Sequence, residues 1–547
     1  MTDIPATSLP PRRRTVVRAA AAGLAGAALL TGRPATARAA GDRPPRAAFH
    51  HGVASGDPLP DGVLLWTRIT PEPGAVPGAG LGEPVAVDWQ VSRDPHFRRV
   101  VATGRAVATA RSDHTVKADV RGLHPATDYW YRFSCGGVRS EPGRTRTAPR
   151  PGAAVPGIRF GVVSCANWES GWFSAYRHLA RRRDIDAVLH LGDYLYEYAT
   201  YAGRGTVARP NHPPHECLTL ADYRARHGSY KTDPDLRALH AARPFIAIWD
   251  DHEFADDAWA GGAANHDPRT EGRWEDRVAA AKRAYFEWMP VRTATGGTTY
   301  RTLAFGDLAT LFLLDLRSFR SGTGDPAGGQ APGPTITGRA QMDWLKTGLA
   351  ADRAVWRLVG NPVMMAPVVL PDLPAPGLRE ALPHAAPAHR PLNPEAWDGY
   401  AGDRRELLSH LARAGVADTV FLTGDVHCAW AAEVPAAAAG PGHDGRPLAA
   451  EFVVTSVTSD NYGDQLGSSA PAQLPAVEAA VRAANPHVRW VDLASHGYSV
   501  LDVTRDAVQM DYHAVTDRMT PASPSSWRAA YRVARGASRV EAASPLR

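Results

Sequence analysis

Four cysteines (Cys135, Cys165, Cys217 and Cys428) in 547 residues are too few to build a disulfide scaffold. No apolar run is long enough to span a bilayer, so no transmembrane anchor is expected. Internal repeats and heptads are missing too, which excludes solenoids and coiled coils. Net charge is scarcer than it looks. Residues 1–39 hold six arginines, one acid (Asp3) and no lysine, and these account for the whole formal charge of +5. The rest of the chain is neutral, so a pI near 9.0 argues neither for an anionic membrane nor for a nucleic-acid-binding module.

What is present is ordinary for a soluble globular protein: 44% hydrophobic and 21% charged residues. The length exceeds one compact core and predicts at least two domains. At the start, Arg13-Arg14-Thr15-Val16-Val17-Arg18 precedes an Ala/Gly-rich stretch from Ala19 to Leu30. "ATARAAGD" then offers small-residue cleavage sites near Ala37 or Ala39. Residues 1–39 therefore read as an export signal. The paired arginines resemble a twin-arginine signal, which implies the twin-arginine export machinery as a partner and a secreted or cell-wall location. An ordinary secretory signal, or an unstructured Arg/Pro tail, is the plainer reading.

Residues 47–147 predict a β-sandwich domain of fibronectin III or immunoglobulin type. "GVLLWTRI", "PVAVDWQVS" and "HTVKADV" are short strands between Pro, Gly and Asp turns, and "GLHPATDYWYRF" resembles a tyrosine corner. "TAPRPGAAVPG" is a linker. Residues 158–515 then alternate buried strands with helices, as a parallel α/β sheet does. Strands are expected in "IRFGVVSCAN", "DAVLHLGD", "FIAIWDD", "LATLFLLDLRS", "WRLVGNP" and "DTVFLTGDVH", with helices in "WFSAYRHLARR" and around 273–288, 338–351 and 402–414. Residues 518–547 read as a tail with one short helix, Trp527, Ala530, Tyr531 and Ala534 sharing a side; either a frayed end or a lid over the site fits that pattern.

Each α/β strand ends abruptly in polar residues, at the edge where such sheets bind ligands. There stand Cys165, Asp193 and Tyr196, Asp250-Asp251-His252-Glu253, Asn361, Asp425 and His427. Singly, each has a plain explanation: an Asp after Gly caps a helix or makes an Asx turn, a lone His is hydrogen-bonded, and a lone Cys fills space. Three signals together, "GDYLY", "WDDHE" and "TGDVH", point to a metal centre.

Those motifs, with "FHHGVASGDPLPDGVLLWTRI", "SCAN", "AYFEWMPVR", "LLDLRSFR" and "GNPVMM" in the same order, resemble the alkaline phosphatase D (PhoD-like) family over residues 47–515. The resemblance implies a large four-layer αββα metallophosphatase domain of the calcineurin-like kind. It implies Fe3+ held by Cys165, Asp193, Tyr196 and His427, with Asp193 bridging to a second ion. Asp251, Asn361 and Asp425 would hold that ion, and their oxygen donors suit Ca2+ better than zinc. Glu197 receives no role. His252 is the expected group beside the leaving oxygen, its plainer role being to orient a ligand acid. Arg317 and Arg320 are expected to fork onto substrate phosphate, the alternative being salt bridges to Asp315. The implied activity is metal-dependent hydrolysis of a phosphate ester, a metal-activated hydroxide attacking phosphorus in line. Monoesterase and phosphodiesterase or phospholipase D readings both fit. A secreted binding protein with a closed structural metal site is the competing class.

Overall fold

The computed structural model describes residues 48–200, 207–293, 297–322, 333–369, 393–436, 446–467 and 470–546. The expected export signal at 1–39 lies outside them. Residues 45–547 form one compact unit. Among the described residues, two large sheets carry the fold. In the seven-stranded sheet, strands Ala309–Leu313, Trp356–Asn361, Thr419–Thr423 and Ala449–Val453 run parallel. In the ten-stranded sheet the parallel centre is Gly157–Val163, Ala187–Leu191 and Phe245–Ile248.

These strands are buried on both faces, which is why they read as continuous apolar runs. One face of each sheet meets the other: Val162, Leu189 and Ile246 share a core with Leu311, Leu358 and Leu422. Helices cover the remaining faces. Helices Gly338–Ala351 and Ala401–Ala414 pack on the seven-stranded sheet, and Ser174–Arg181 and Trp274–Trp288 on the ten-stranded one.

The N-terminal β region departs from a self-contained sandwich. Val53–Leu59, Gly62–Arg68 and Thr115–Arg121 join the ten-stranded sheet, Gly56 pairing with Phe245. Without them the Phe245–Ile248 strand would present an unpaired edge. Only Val85–Ser92, Val100–Ala108, Asp128–Cys135, Val138–Arg139 and Gly143–Arg146 form a separate sheet. The two groups share a core of Val53, Leu65, Val87, Tyr131 and Phe133. The tyrosine corner is present as a bond: the His124 N–H donates to the Tyr129 hydroxyl at 2.9 Å.

The expected C-terminal helix is instead a strand, Ser525–Ala534, antiparallel to Ala507–Val515, followed by the short strand Val540–Ala542. An isolated helix of that length is marginal in water, whereas the Ala507–Val515 edge offers a full ladder of backbone partners. Ala530 and Val533 are buried there, and Trp527 is left 43% exposed.

Candidate metal centre

Parallel pairing brings the carboxyl ends of the central strands together, and the chain turns sharply at each. Cys165, Asp193, Asp425 and His427 all lie in the left-handed region, at φ +56°, +53°, +66° and +56°. Such angles cost energy for side chains other than glycine and cluster at functional sites. Gly192, at φ +104°, is required, because a Cβ there would lie 2.6 Å from the Asp250 Cβ. Adjacent loops are then tied directly: the Cys165 N–H donates to Gly192 O at 3.2 Å and the Ala166 N–H to Asp193 O at 2.9 Å.

The turns converge. Ligand atoms of Cys165, Asp193 and His427 lie within 4.8 Å of one another, as do those of Asp193, Asp251 and His252. The Tyr196 hydroxyl donates to Asp193 Oδ2 at 3.1 Å and stands 3.0 Å from His427 Nε2. His427 Nδ1 lies 2.7 Å from the Asp460 carbonyl, a bond that only an N–H can make. Nε2 is thereby the ring's lone-pair end, aimed at the cluster. Asp193 shares both groups, the position a bridging carboxylate needs.

The other side is built differently. Asn361 Oδ1 accepts from the Trp397 indole at 3.0 Å, while its Nδ2 donates to Val363 O and Thr423 Oγ1. Asp425 Oδ2 accepts from Asn393 at 3.0 Å, and Asp251 Oδ2 from the Asp257 N–H at 2.6 Å. Arg317 sits among these acids. Its Nε and Nη2 grip Asp250 at 2.5 and 3.1 Å, and Nη2 lies 3.5 Å from Asp251 and 3.7 Å from Asp425. The alternative salt bridges to Asp315 do not form; of the two arginines, only the Arg317 backbone N–H reaches that carboxylate, at 3.3 Å. Arg320 is spent on the carbonyls of Asp257, Ala258 and Glu395 and on the Glu395 carboxylate, so it braces the loop and has no free fork for a substrate.

Electrostatics test whether this donor set suits a cation. Burial pushes the Cys165 thiol and the Tyr196 phenol well above their ordinary ranges, and nearby Asp193 pushes them further. Asp193 is itself raised, by burial first and then by Asp251, Asp250 and Glu253, against the pull of His252. Its Oδ1 is buried without a hydrogen-bond partner among the described residues. A sulfur, a phenol, a carboxylate and an imidazole, with only His252 beside them to offset negative charge among the described residues, are what a positive ion satisfies. The set fits.

His252 carries its own support. Its Nδ1 lies 2.8 Å from Glu197 Oε2, and its ring is 4.0 Å from that of Tyr196. Burial alone would lower its pKa, but Asp251, Glu197 and Asp193 raise it well above the ordinary value. Glu197 also accepts from the Asp256 N–H and from Asn265. Sequence reasoning left Glu197 without a role; its place in "DYLYE", one residue after Tyr196, was the available signal. Glu253 was also missed. Its carboxylate accepts the backbone N–H groups of Asp193, Tyr194 and Asp250 at 3.2, 2.7 and 2.8 Å, clamping two strand ends together. Cys428 stays in the core with its Sγ toward Leu493 O, and His496 binds Ser456 and Asp464.

Comparison with known proteins agrees with this arrangement. A family model described as PhoD-like phosphatase matches residues 160–512, and that of its N-terminal domain matches 35–149. Alkaline phosphatase D of Bacillus subtilis (strain 168) is 33% identical over 501 residues, covering 88% of this chain and 80% of that protein. A solved structure described as that of PhoD superposes with a TM-score of 0.78 at 31% identity, covering 91% of this chain and 92% of the other.

Proposed function

Because the chain belongs to the PhoD-like phosphatase family and is a phosphoester hydrolase of the alkaline phosphatase D kind, we propose that its strand-end cluster is a two-cation hydrolytic centre. Two convergent groups that share Asp193, one with Cys165 and His427 and one with Asp251 and His252, carry this reading. Cys165, Tyr196 and His427 would hold Fe3+, and Asp251, Asn361 and Asp425 would hold Ca2+, with Asp193 shared. Bound there, the cations would supply Lewis-acid activation of water and neutralise charge on the phosphoryl oxygens.

The chain's own groups do the rest. His252, whose pKa three carboxylates raise, stabilises or protonates the leaving alkoxide. Glu197 fixes its ring so that Nε2 faces away from the Glu197 carboxylate. Arg317 grips Asp250 and lies beside Asp251 and Asp425, its charge pulling all three carboxyls down against burial; Asp251 ends below the ordinary range, while burial keeps Asp250 and Asp425 above it. The centre includes no serine beside an activating base, and no phosphoserine is part of the scheme. A closed structural site is disfavoured because the proposed ligand set leaves His252 free to act on a leaving group. Residues 1–39 add export by the twin-arginine route, with action outside the cytoplasm. Among the described residues no helix is long and apolar enough to cross a membrane.

The test combines metal analysis of the purified chain with paired initial rates on p-nitrophenyl phosphate and bis(p-nitrophenyl) phosphate, at alkaline pH with calcium. Turnover that follows metal content supports the centre, and the ratio of rates assigns monoester or diester preference. A metal-loaded protein that turns over neither substrate would sink the proposal.

A further inference from the structure

Two of the candidate iron ligands, Cys165 and His427, lean on one short segment, residues 458–460. The Ser459 hydroxyl donates to Cys165 O at 2.9 Å, joined by the Thr458 and Ser459 N–H groups at 3.3 Å each. The Asp460 carbonyl accepts from His427 Nδ1 at 2.7 Å, which leaves Nε2 as the lone-pair end of the ring. The position of these three residues thus fixes the Cys165 turn and the tautomer and plane of the His427 imidazole.

A guanidinium grips the segment on both sides of Ser459. Arg518 Nη1 donates to Thr458 O, while Nη2 lies 2.6 Å from Asp460 Oδ1 and 3.2 Å from Asp464 Oδ1. A planar, two-armed donor holds a carbonyl and a carboxylate two residues apart in one geometry. The Arg518 side chain is only 12% exposed, so these charge-assisted bonds are weakly screened. Its backbone is anchored as well. The Trp172 N–H donates to Arg518 O at 2.7 Å, and in the same turn the Ser523 N–H donates to Ser174 Oγ at 3.1 Å. That turn joins Ala507–Val515 to Ser525–Ala534, so the C-terminal hairpin delivers the arginine.

We propose that Arg518 is a positioning residue of the metal centre, a role that rests on the hydrolytic reading above. It acts through Thr458 and Asp460 to hold Cys165 and His427 for the iron-side ion. Among the described residues it hydrogen-bonds none of Asp251, Asn361 and Asp425, so its reach is confined to one half of the centre.

Iron and calcium contents of the purified full chain, with the rate of iron release to a chelator, test it. Arg518→Met should weaken iron binding about 10- to 100-fold, as loss of a partner behind a ligand does, with calcium content kept at the wild-type value. Asp460→Ala keeps the carbonyl and removes the carboxylate that Arg518 grips, so it should weaken iron binding by a smaller factor. The double variant should then be no weaker than Arg518→Met alone, because both changes break one grip. Wild-type iron retention in Arg518→Met overturns the proposal. Parallel loss of both ions overturns it too, since that marks general loosening, and so do additive losses in the double variant. If Arg518→Met does not fold, unaltered iron release from Asp460→Ala overturns it instead. A wild type that binds no iron removes the hydrolytic reading and this role with it, whereas iron held alike by wild type and variants removes this role alone.

Discussion

The two halves of the metal centre handle charge in opposite ways. On the Cys165–Tyr196–His427 side, no arginine or lysine stands among the donors in the described residues, His252 lies against the Tyr196 ring at 4.0 Å, and burial disfavours the ionised thiol and phenol. On the Asp251–Asn361–Asp425 side, Arg317 already stands between the acids. Burial opposes ionisation of Asp251, yet Arg317 and His252 together hold its carboxyl below the ordinary range. The first half is thus incomplete without an ion. The second is partly compensated by the protein, and its donors are already tethered by Trp397, Asn393 and the Asp257 N–H. That contrast supports the proposed pair, a tightly demanded Fe3+ on the mixed sulfur, phenol and imidazole side and a more exchangeable Ca2+ on the all-oxygen side.

Asp193→Ala is the most severe way to break it, since both halves lose a shared ligand. Activity should fall on the order of a thousandfold or more, with both metals lost in elemental analysis. Retention of either metal at full stoichiometry would show that Asp193 does not bridge. His252→Ala comes next, lowering kcat by ~10²- to 10⁴-fold while both metals stay bound. Cys165→Ser sharpens the contrast itself: iron content should drop while calcium binding persists. Parallel loss of both ions would erase the distinction between the halves. Glu197→Gln should cost about 10- to 100-fold in kcat with metals and KM retained, because it acts through the orientation of His252. A loss confined to KM would remove that role.

Much of this proposed centre was legible because its candidate ligands are punctuation. A strand that ends in Gly-Asp, Asp-Asp-His or Gly-Asp-Val-His announces where buried backbone stops and chemistry begins, and the parallel register gathers those ends. The partners that hold the ligands were not legible in the same way. Glu197 and Glu253 act through backbone N–H groups and a ring nitrogen, contacts set by how two strand ends pack. Arg317 and Arg320 share one motif, yet one faces the acids and the other a loop; three residues of spacing cannot tell them apart. The tail misled for a related reason. Apolar residues at helical spacing were present, but the deciding term was an open sheet edge contributed by residues Ala507–Val515, distant from any local pattern.

The smallest expected effect tests the first half alone, without metal. Burial lowers the folded pKa of His427 to about 4, against an ordinary value of 6.5. Between those values the unfolded chain binds a proton that the native imidazole refuses. The contribution is therefore full above pH 6.5 and is lost as the pH falls toward 4. Half-buried His513, lowered to about 4, tilts the curve the same way and raised His252 the opposite way, so the wild-type slope alone assigns nothing. Urea midpoints of metal-stripped wild type and His427→Gln, compared at pH 7, 5.5 and 4.5, isolate the one ring. The stability advantage of wild type should shrink steadily down that series. Adding iron should steepen the wild-type fall alone, because a protonated Nε2 cannot bind a metal. Parallel curves for the two proteins would mean that His427 is not the neutral ligand on which the comparison depends.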